Sequence, residues 1–309
     1  MQASILTGIL LKLLSALMFA VMQALVRSLG EDVPVGQVVF FRSAFAVVPI
    51  VLIYALRGEL KTAAHTTRLF GHAGRGLVGL AGMFLNFAAL ARLQLAEVTA
   101  ISFVSPLVTV ALAALMLKER VRVYRWSAVG VGFLGVVVML APHLDAAAVA
   151  SYTPAQTVGA MLALAAAFTN AGAVIQTRRL TDTETTSSIV LYFSLVCALG
   201  GLVTLPFGWV APSPWQLAAL VATGFLGGTG HLLLTESYRH APASVVAPYD
   251  YAAILFSFAL GYLLFGEVPT PLVVGGAGIV VAAGLFVLWR ERQLGLKRAR
   301  DAEGPPSGT

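Results

Sequence analysis

Ten apolar stretches occupy almost the whole of this chain, each close to the about 20 residues that an α-helix needs to cross the hydrocarbon core of a bilayer. They lie at residues 5–27, 35–56, 70–91, 97–117, 124–141, 156–177, 187–207, 215–236, 243–265 and 271–289. The composition agrees, because 58% of the residues are hydrophobic and only 11% are charged, against about 25% charged in soluble domains. Within lipid, an α-helix pairs its own backbone polar groups. We therefore predict an all-α integral membrane protein with ten transmembrane helices.

The second half of the chain is a blurred copy of the first. Arg92 falls opposite Arg239 at an offset of 147 residues, and Glu119 falls opposite Glu267 at an offset of 148. Each half holds five spans, and because five is odd, equivalent helices must cross the membrane in opposite directions. The sequence thus predicts two inverted-topology repeats of five helices. This architecture is common in secondary transporters, whose substrate site lies at the interface of the repeats.

The predicted domain organisation follows from this repeat. The first five-helix repeat occupies residues 1–147, and the second, inverted repeat occupies residues 148–290. The remaining residues, 291–309, begin basic and end in EGPPSGT, a composition that cannot bury a core. We expect them to form a disordered basic tail in the cytoplasm.

Basic residues are distributed unevenly between the two sides of the membrane. With the N-terminus in the cytoplasm, sixteen of the 20 Lys and Arg residues fall on the cytoplasmic side. These are Arg57, Lys61, Arg68, Arg75, Lys118, Arg120, Arg122, Arg125, Arg178, Arg179, Arg239, Arg290, Arg292, Lys297, Arg298 and Arg300. Only Arg27 and Arg92 fall on the opposite side, which is the asymmetry of the positive-inside rule. We expect both termini in the cytoplasm, and we assign the net charge of +6 to membrane topology rather than to a nucleic-acid site.

Four ionisable residues of interest lie within predicted spans: Lys12, Arg42, His231 and Asp250. A charge near the bilayer centre costs about 3 kcal/mol on insertion scales, so Asp250 must be paired or protonated. Arg42 and Lys12 are its candidate partners, and we expect Arg42 and Asp250 to frame the substrate cavity. Asp250, His231 and Lys12 are candidates for coupling transport to a proton gradient. The alternatives are snorkelling of Arg42 and Lys12 to the membrane surface and helix packing for His231.

Further polar and aromatic residues of the spans are predicted to contact the substrate. They are Asn86, Ser102, Phe103, Asn170, Tyr249 and Tyr251. The serine and the asparagines offer hydrogen bonds, and the aromatic rings can stack on a planar ligand. Structural alternatives exist, since Ser side chains often bond their own backbone and most rings in a bundle face lipid or core. No metal site is predicted.

The arrangement of the spans and the residues at their ends resemble those of a known family. Two inverted sets of five spans, the acidic span ends LMLKER at 115–120 and LLFGEVP at 263–269, and a Gly-rich last span resemble the EamA family of the drug/metabolite transporter superfamily. The resemblance covers about residues 5–290. It implies a secondary transporter, not an enzyme, in the bacterial inner membrane. It also implies that the partners are a small-molecule substrate and membrane lipid, with no cofactor, and it leaves a homodimer open.

The resemblance extends to particular branches of that superfamily. GILLKLLSALMFAVMQALVRSL and VPVGQVVFFRSAFAVVPI are most similar to bacterial riboflavin transporters and then to S-adenosylmethionine transporters. The predicted interior contains two cationic residues, Lys12 and Arg42, and one anionic residue, Asp250. This charge balance disfavours a sulfonium cation, whereas the aromatic residues suit an isoalloxazine ring. We therefore expect riboflavin uptake. The alternatives are S-adenosylmethionine transport and export of an amino acid or drug by the same superfamily.

The sequence also bears on three other kinds of function. A membrane-embedded enzyme acting on lipid would need a nucleophile with its base or a metal motif such as HExxH, and the sequence contains no such motif. ATP-driven transport would need GxxxxGK[ST], which is also absent from the sequence. A structural or receptor subunit is the remaining alternative.

Overall fold

The computed structural model of this chain describes residues 2–116, 123–144, 153–181, 183–241 and 243–302. Within these residues, the regular structure is entirely helical. The helices are α1 (Gln2–Leu29), α2 (Val35–Leu56), α3 (Leu60–Ala64), α4 (Leu69–Leu90), α5 (Leu95–Ser102), α6 (Val104–Met116), α7 (Val123–Leu144), α8 (Pro154–Thr181), α9 (Thr186–Leu202), α10 (Pro214–His240), α11 (Ala243–Val246), α12 (Ala252–Phe265) and α13 (Pro271–Ala302). Two 3₁₀ turns occupy Leu205–Phe207 and Ala247–Tyr251.

Eight helical segments of the described residues are long and apolar enough to cross a membrane. Two shorter apolar helices, Trp126–Ala141 and Ser187–Leu202, lie at the predicted fifth and seventh spans. The predicted all-α class with apolar helices of membrane-spanning length is confirmed.

The last helix is longer than the sequence predicts. α13 continues to Ala302, so residues 291–302 are helical, whereas we expected a disordered tail from residue 291. Residues 291–302 include Arg, Leu, Gln and Lys, which are good helix formers. The breakers Gly304, Pro305 and Pro306 come later, and residues 303–309 lie outside the described part of the chain.

The predicted fourth and ninth spans are interrupted helices. In the fourth, α5 and α6 are separated at Phe103, because Pro106 lacks an N–H and its ring clashes with the carbonyl of residue 102. In the ninth, the 3₁₀ turn Ala247–Tyr251 with Pro248 near its start precedes α12. Both predicted spans therefore contain irregular backbone within the bundle.

The helices pack side by side in pairs. α1 lies along α10, α4 along α8, and α7 along α13, while α2 contacts both α9 and α10. The α2–α10 contact depends on a small residue, since a Cβ on Gly228 would lie only 2.7 Å from the carbonyl oxygen of Ala46. Such close backbone approach is the usual basis of helix association in membranes.

One end of the bundle, here the Arg27 end, is tied together by Glu267. This carboxylate is 8% exposed; its Oε1 lies 3.1 Å from Arg27 Nε, and its Oε2 accepts a hydrogen bond from the backbone N–H of Leu95 at 2.8 Å. Gly266 positions it by ending α12 with a positive φ of 64°, which suits glycine. The result joins the C-terminus of α1, the N-terminus of α5 and the loop after α12.

The opposite end, here the Glu184 end, holds a second buried carboxylate. Glu184 Oε1 accepts hydrogen bonds from the backbone N–H and the hydroxyl of Thr67 at 3.0 and 2.9 Å. Its Oε2 lies 3.2 Å from His72 Nε2. Burial opposes ionisation of Glu184, but the hydrogen bonds from His72, Thr67 and Thr66 outweigh it and lower the pKa of this carboxyl from 4.5 to about 2. Glu184 thereby fastens the loop between α8 and α9 to the start of α4.

We predict that Glu184→Gln lowers the unfolding temperature of the purified protein and weakens the dependence of that temperature on pH. Because the folded-state pKa is depressed, the stabilisation by Glu184 is fully present above pH 4.5 and is lost as the pH falls toward 2. Thermal unfolding in detergent between pH 7 and pH 2.5 measures this, with the exposed Asp32→Asn as the control. Equal pH profiles for wild type and Glu184→Gln would contradict the assignment.

Candidate functional site

A cavity of about 450 Å³ lies within the bundle, inside the usual range of about 300–1,000 Å³ for small-molecule sites. Its wall is formed by α1, α5, α6, α10, α12, α13 and the 3₁₀ turn before α12. Both helix interruptions contribute to this wall. Ser102 and Phe103 line it from the first interruption, and Asp250 and Tyr251 line it from the second.

The charged part of the cavity wall is an ion pair between α1 and the 3₁₀ turn. Lys12 Nζ lies 2.6 Å from Asp250 Oδ1, and the two side chains are 3% and 50% exposed. Lys12 also lies 3.4 Å from the Tyr238 hydroxyl and 5.3 Å from the centroid of its ring. The cation is therefore fully enclosed by protein, whereas the carboxylate keeps an open side toward the cavity.

The aromatic part of the wall joins the two interruptions directly. The rings of Phe103 and Tyr251 are stacked, with centroids 4.9 Å apart and an interplanar angle of 24°. Room for Tyr251 comes from Gly284 of α13, where a Cβ would collide with the tyrosine hydroxyl. The stack gives the cavity a flat apolar surface beside the ion pair.

Hydroxyl groups line the remaining wall. Thr99 and Ser257 are hydrogen-bonded to each other at 2.8 Å and link α5 to α12. Ser102 donates to the carbonyl of Thr99 at 2.6 Å, and Ser15 donates to the carbonyl of Gly230 at 2.8 Å. Ser15 and Ser102 donate their protons to backbone carbonyls, so their oxygens can accept a hydrogen bond from a ligand.

The structure brings some of the predicted site residues together and separates others. Lys12, Ser102, Phe103, Asp250 and Tyr251 line one cavity. The remaining predicted residues, Arg42, Asn86, Asn170, His231 and Tyr249, are not among its lining residues.

The pairing expected between Arg42 and Asp250 is replaced by a different arrangement. Asp250 pairs with Lys12, the other candidate partner, because both lie in the part of the bundle nearer the Glu184 end. Arg42 instead places its Nη2 3.2 Å from Nε2 of His231, and its guanidinium has no carboxylate partner among the described residues.

Sequence reasoning missed Arg75, which we counted among the cytoplasmic basic residues. In the structure it lies on α4, where its guanidinium stacks over the Phe193 ring at 3.9 Å and its Nε donates to Thr177 Oγ1 at 3.1 Å. The sequence contained a signal for this position. The predicted span starts at residue 70, so Arg75 falls within the span rather than before it, and in the structure it is the seventh residue of α4.

The amino-acid sequence matches a model of a known protein family and several curated proteins. A sequence model described as the EamA-like transporter family matches residues 6–141 and residues 157–289. Among curated proteins, the S-adenosylmethionine uptake transporter of Rickettsia prowazekii (strain Madrid E) is 30% identical over 291 residues, covering 93% of this chain and 94% of the relative. The pseudopaline exporter CntI of Pseudomonas aeruginosa (strain UCBPP-PA14) is 32% identical, covering 90% and 94% of the two chains.

Two further matches are more distant. A riboflavin transporter of Vibrio cholerae serotype O1 is 27% identical, covering 91% of this chain and 93% of the relative. A solved crystal structure with 20% sequence identity matches with a TM-score of 0.63 and covers 95% of this chain and 99% of that chain. The likeness to the crystal structure shows a shared fold.

We predict that the losses in stability caused by substituting Lys12 and Asp250 are not additive. Asp250→Asn should destabilise the protein more than Lys12→Met, because it leaves an enclosed cation without a counter-ion, whereas Asp250 keeps access to the cavity. Breaking a fully buried pair costs about 3–5 kcal/mol, and the half-exposed carboxylate makes us expect less here. The double variant should recover most of the loss in unfolding temperature, and simple addition of the two losses would contradict a direct ion pair.

Proposed function

The chain belongs to the EamA-like transporter family, and from this premise we propose that it is a secondary transporter that moves S-adenosylmethionine across the bacterial inner membrane by alternating access. One observation carries this proposal. The cavity between the two interrupted helices places a half-exposed carboxylate, Asp250, beside a flat aromatic stack. These are the groups that a planar base linked to a cationic centre requires.

The proposed architecture is two inverted repeats of five helices, with residues 1–147 and 148–290 as its halves. The separate matches of the family model to residues 6–141 and 157–289 support this division. The packing supports it too, because exchanging the halves turns the α1–α10 contact into the α8–α4 contact, and both contacts are extensive. The interruptions at residues 103 and 247–251 stand at equivalent places. Interrupted helices at a repeat interface are where such transporters bind their substrates.

The proposed orientation places the Glu184 end in the cytoplasm and the Arg27 end outside. Arg57, Arg179 and Arg239 all make contacts at the Glu184 end, which agrees with the positive-inside rule. Lys12 lies on the half of α1 that leads to this end. In this proposal the Glu267 network keeps the Arg27 end closed while the protein faces the cytoplasm. The outward-facing state requires that network to separate.

S-adenosylmethionine suits the chemistry of the cavity wall. Asp250 would lie against the sulfonium centre, and the Phe103–Tyr251 stack would hold the adenine through ring contacts. Lys12 pairs with Asp250 in the empty cavity and holds the carboxylate in place. Because Arg42 does not line this cavity, the excess of positive charge that argued against a sulfonium ligand does not apply there. The name of the Rickettsia relative points to the same substrate.

Riboflavin uptake is the second candidate, and the aromatic stack favours it. Phe103 and Tyr251 present a flat surface that would accept an isoalloxazine ring as readily as an adenine. The Vibrio relative carries the corresponding name. A neutral flavin has no group that needs Asp250, which is why we place it second.

The substrate is tested by uptake into proteoliposomes that contain the purified full-length protein. We expect uptake of labelled S-adenosylmethionine and competition by the unlabelled compound. S-adenosylhomocysteine, which lacks the sulfonium charge, should compete at least about tenfold more weakly, a difference of about 1.4 kcal/mol. Uptake of labelled riboflavin with no effect of S-adenosylmethionine would select the second candidate. Absence of both fluxes from folded protein would reject both substrates.

The roles of the wall residues are tested by variants in the same assay. Asp250→Asn should reduce S-adenosylmethionine uptake at least about tenfold, whereas the exposed control Asp32→Asn should leave it unchanged. Phe103→Leu should raise KM about twofold to tenfold, in keeping with about 0.5–1.5 kcal/mol for an aromatic contact. If Asp250→Asn transports normally, Asp250 has no part in substrate binding.

A further inference from the structure

Gln23 of α1 is a polar residue of the cavity wall that the proposed contacts with Asp250 and the aromatic stack leave unused. It lines the cavity and is partly buried, and no hydrogen bond joins its side chain to another described residue. The other polar side chains that α1 contributes to this wall are engaged, since Lys12 pairs with Asp250 and Ser15 donates to the carbonyl of Gly230. The amide of Gln23 therefore keeps its donors and its acceptor for a molecule in the cavity.

Gln23 lies near the end of the bundle that the Glu267 network ties together. It is four residues before Arg27 on α1, about 6 Å of helix rise, and Arg27 Nε is 3.1 Å from Glu267 Oε1. Thr99, a second lining residue, is four residues after Leu95 on α5, and the Leu95 nitrogen is 2.8 Å from Glu267 Oε2. A substrate group at Gln23 is therefore about one helical turn from this network.

The spacing between the ion pair and Gln23 fits the nucleoside part of S-adenosylmethionine. Gln23 is eleven residues beyond Lys12, which corresponds to about 16 Å along α1. Both side chains point toward the N-terminus of the helix, so their polar ends keep this spacing. The carboxylate of Asp250 is 2.6 Å from Lys12 Nζ and marks the other end. A contact of about 3 Å at each end leaves about 10 Å, which the ribose and the adenine span from the sulfonium to the far edge of the base.

Adenine and a glutamine amide are complementary along one edge of the base. The N6 amino group of adenine donates a hydrogen bond and N7 accepts one, and a glutamine or asparagine amide pairs with both at once. Hypoxanthine carries an oxygen in place of N6 and presents two acceptors along this edge. The carbonyl oxygen of the amide would then face an acceptor, so the amide distinguishes the two bases.

We propose that Gln23 recognises the adenine of the transported S-adenosylmethionine through the N6 and N7 edge of the base. The inference rests on the proposed substrate and makes Gln23 the residue that determines specificity for the base, whereas Asp250 contacts the sulfonium centre. The Phe103–Tyr251 stack contacts the face of the adenine and leaves its edge to the amide. Both charge recognition and base recognition then occur within one cavity.

The experiment compares S-adenosylmethionine with its deaminated analogue, in which hypoxanthine replaces adenine and the sulfonium centre is unchanged. Binding to the purified full-length protein is measured by titration for wild type, Gln23→Leu and the control Gln293→Leu. Gln293 is exposed on α13 and is not among the lining residues. We expect wild type and Gln293→Leu to prefer S-adenosylmethionine at least about tenfold, which equals about 1.4 kcal/mol. Gln23→Leu should bind the two compounds within about twofold of each other.

The ratio of the two affinities separates recognition of the base from a packing role. If Gln23 only packs, Gln23→Leu should weaken both compounds equally and keep the wild-type ratio, and this result would overturn the proposal. Equal affinity of wild type for the two compounds would overturn it as well. The unfolding temperature of each ligand-free variant is measured alongside. If Gln23→Leu does not fold, Gln23→Met takes its place, because methionine is unbranched and nearly as long as glutamine.

Failure of the proposed substrate is distinguishable from failure of this inference. If wild type binds neither sulfonium compound, the S-adenosylmethionine assignment fails, and adenosine and inosine serve as probes of the base site. Adenosine should then raise the unfolding temperature of wild type more than inosine does, and Gln23→Leu should remove this difference. Equal responses of wild type to the two nucleosides would show that Gln23 does not recognise adenine.

Discussion

The structure depends on the interruption of two apolar helices within the bundle. In a bilayer, backbone polar groups that leave a helical hydrogen-bond pattern must be covered by protein or line a cavity. Pro106 removes a donor from the fourth span, and Pro248 lies in the 3₁₀ turn of the ninth. The two irregular segments therefore lie where they face each other and the cavity. This places Ser102, Phe103 and Tyr251 on the wall of one cavity.

The cost of charge in the membrane explains how the remaining polar groups are arranged. Asp250 is paired with Lys12, and Glu267 is paired with Arg27 and with a backbone N–H. Arg42 and Arg75 are different, because each keeps a buried N–H group without a hydrogen-bond partner among the described residues. Charges that are matched within the protein hold the helices together or close one end.

Particular residues show where sequence reasoning succeeded and where it did not. Lys12, Phe103 and Asp250 were selected as intramembrane charge and aromatic candidates, and all three line the cavity. The sequence does not choose between Arg42 and Lys12 as the partner of Asp250, because it fixes the depth of a residue within a span only to within several residues. The same uncertainty in depth explains why Arg75 is counted among the cytoplasmic basic residues. Asn86, Asn170 and Tyr249 do not line the cavity, because helical periodicity identifies a face but not the neighbour that the face meets.

The sequence by itself determined the class of protein, the helical segments and the internal repeat. These follow from the length of apolar stretches, from the cost of unpaired backbone in lipid and from self-similarity at a constant offset, all of which are local or linear properties. Only the tertiary structure decided that Lys12 rather than Arg42 meets Asp250, that Phe103 stacks on Tyr251, and that Arg42 meets His231. Those contacts depend on the rotation and depth of each helix relative to its neighbours, which are set by packing between residues that are up to 240 positions apart in the chain.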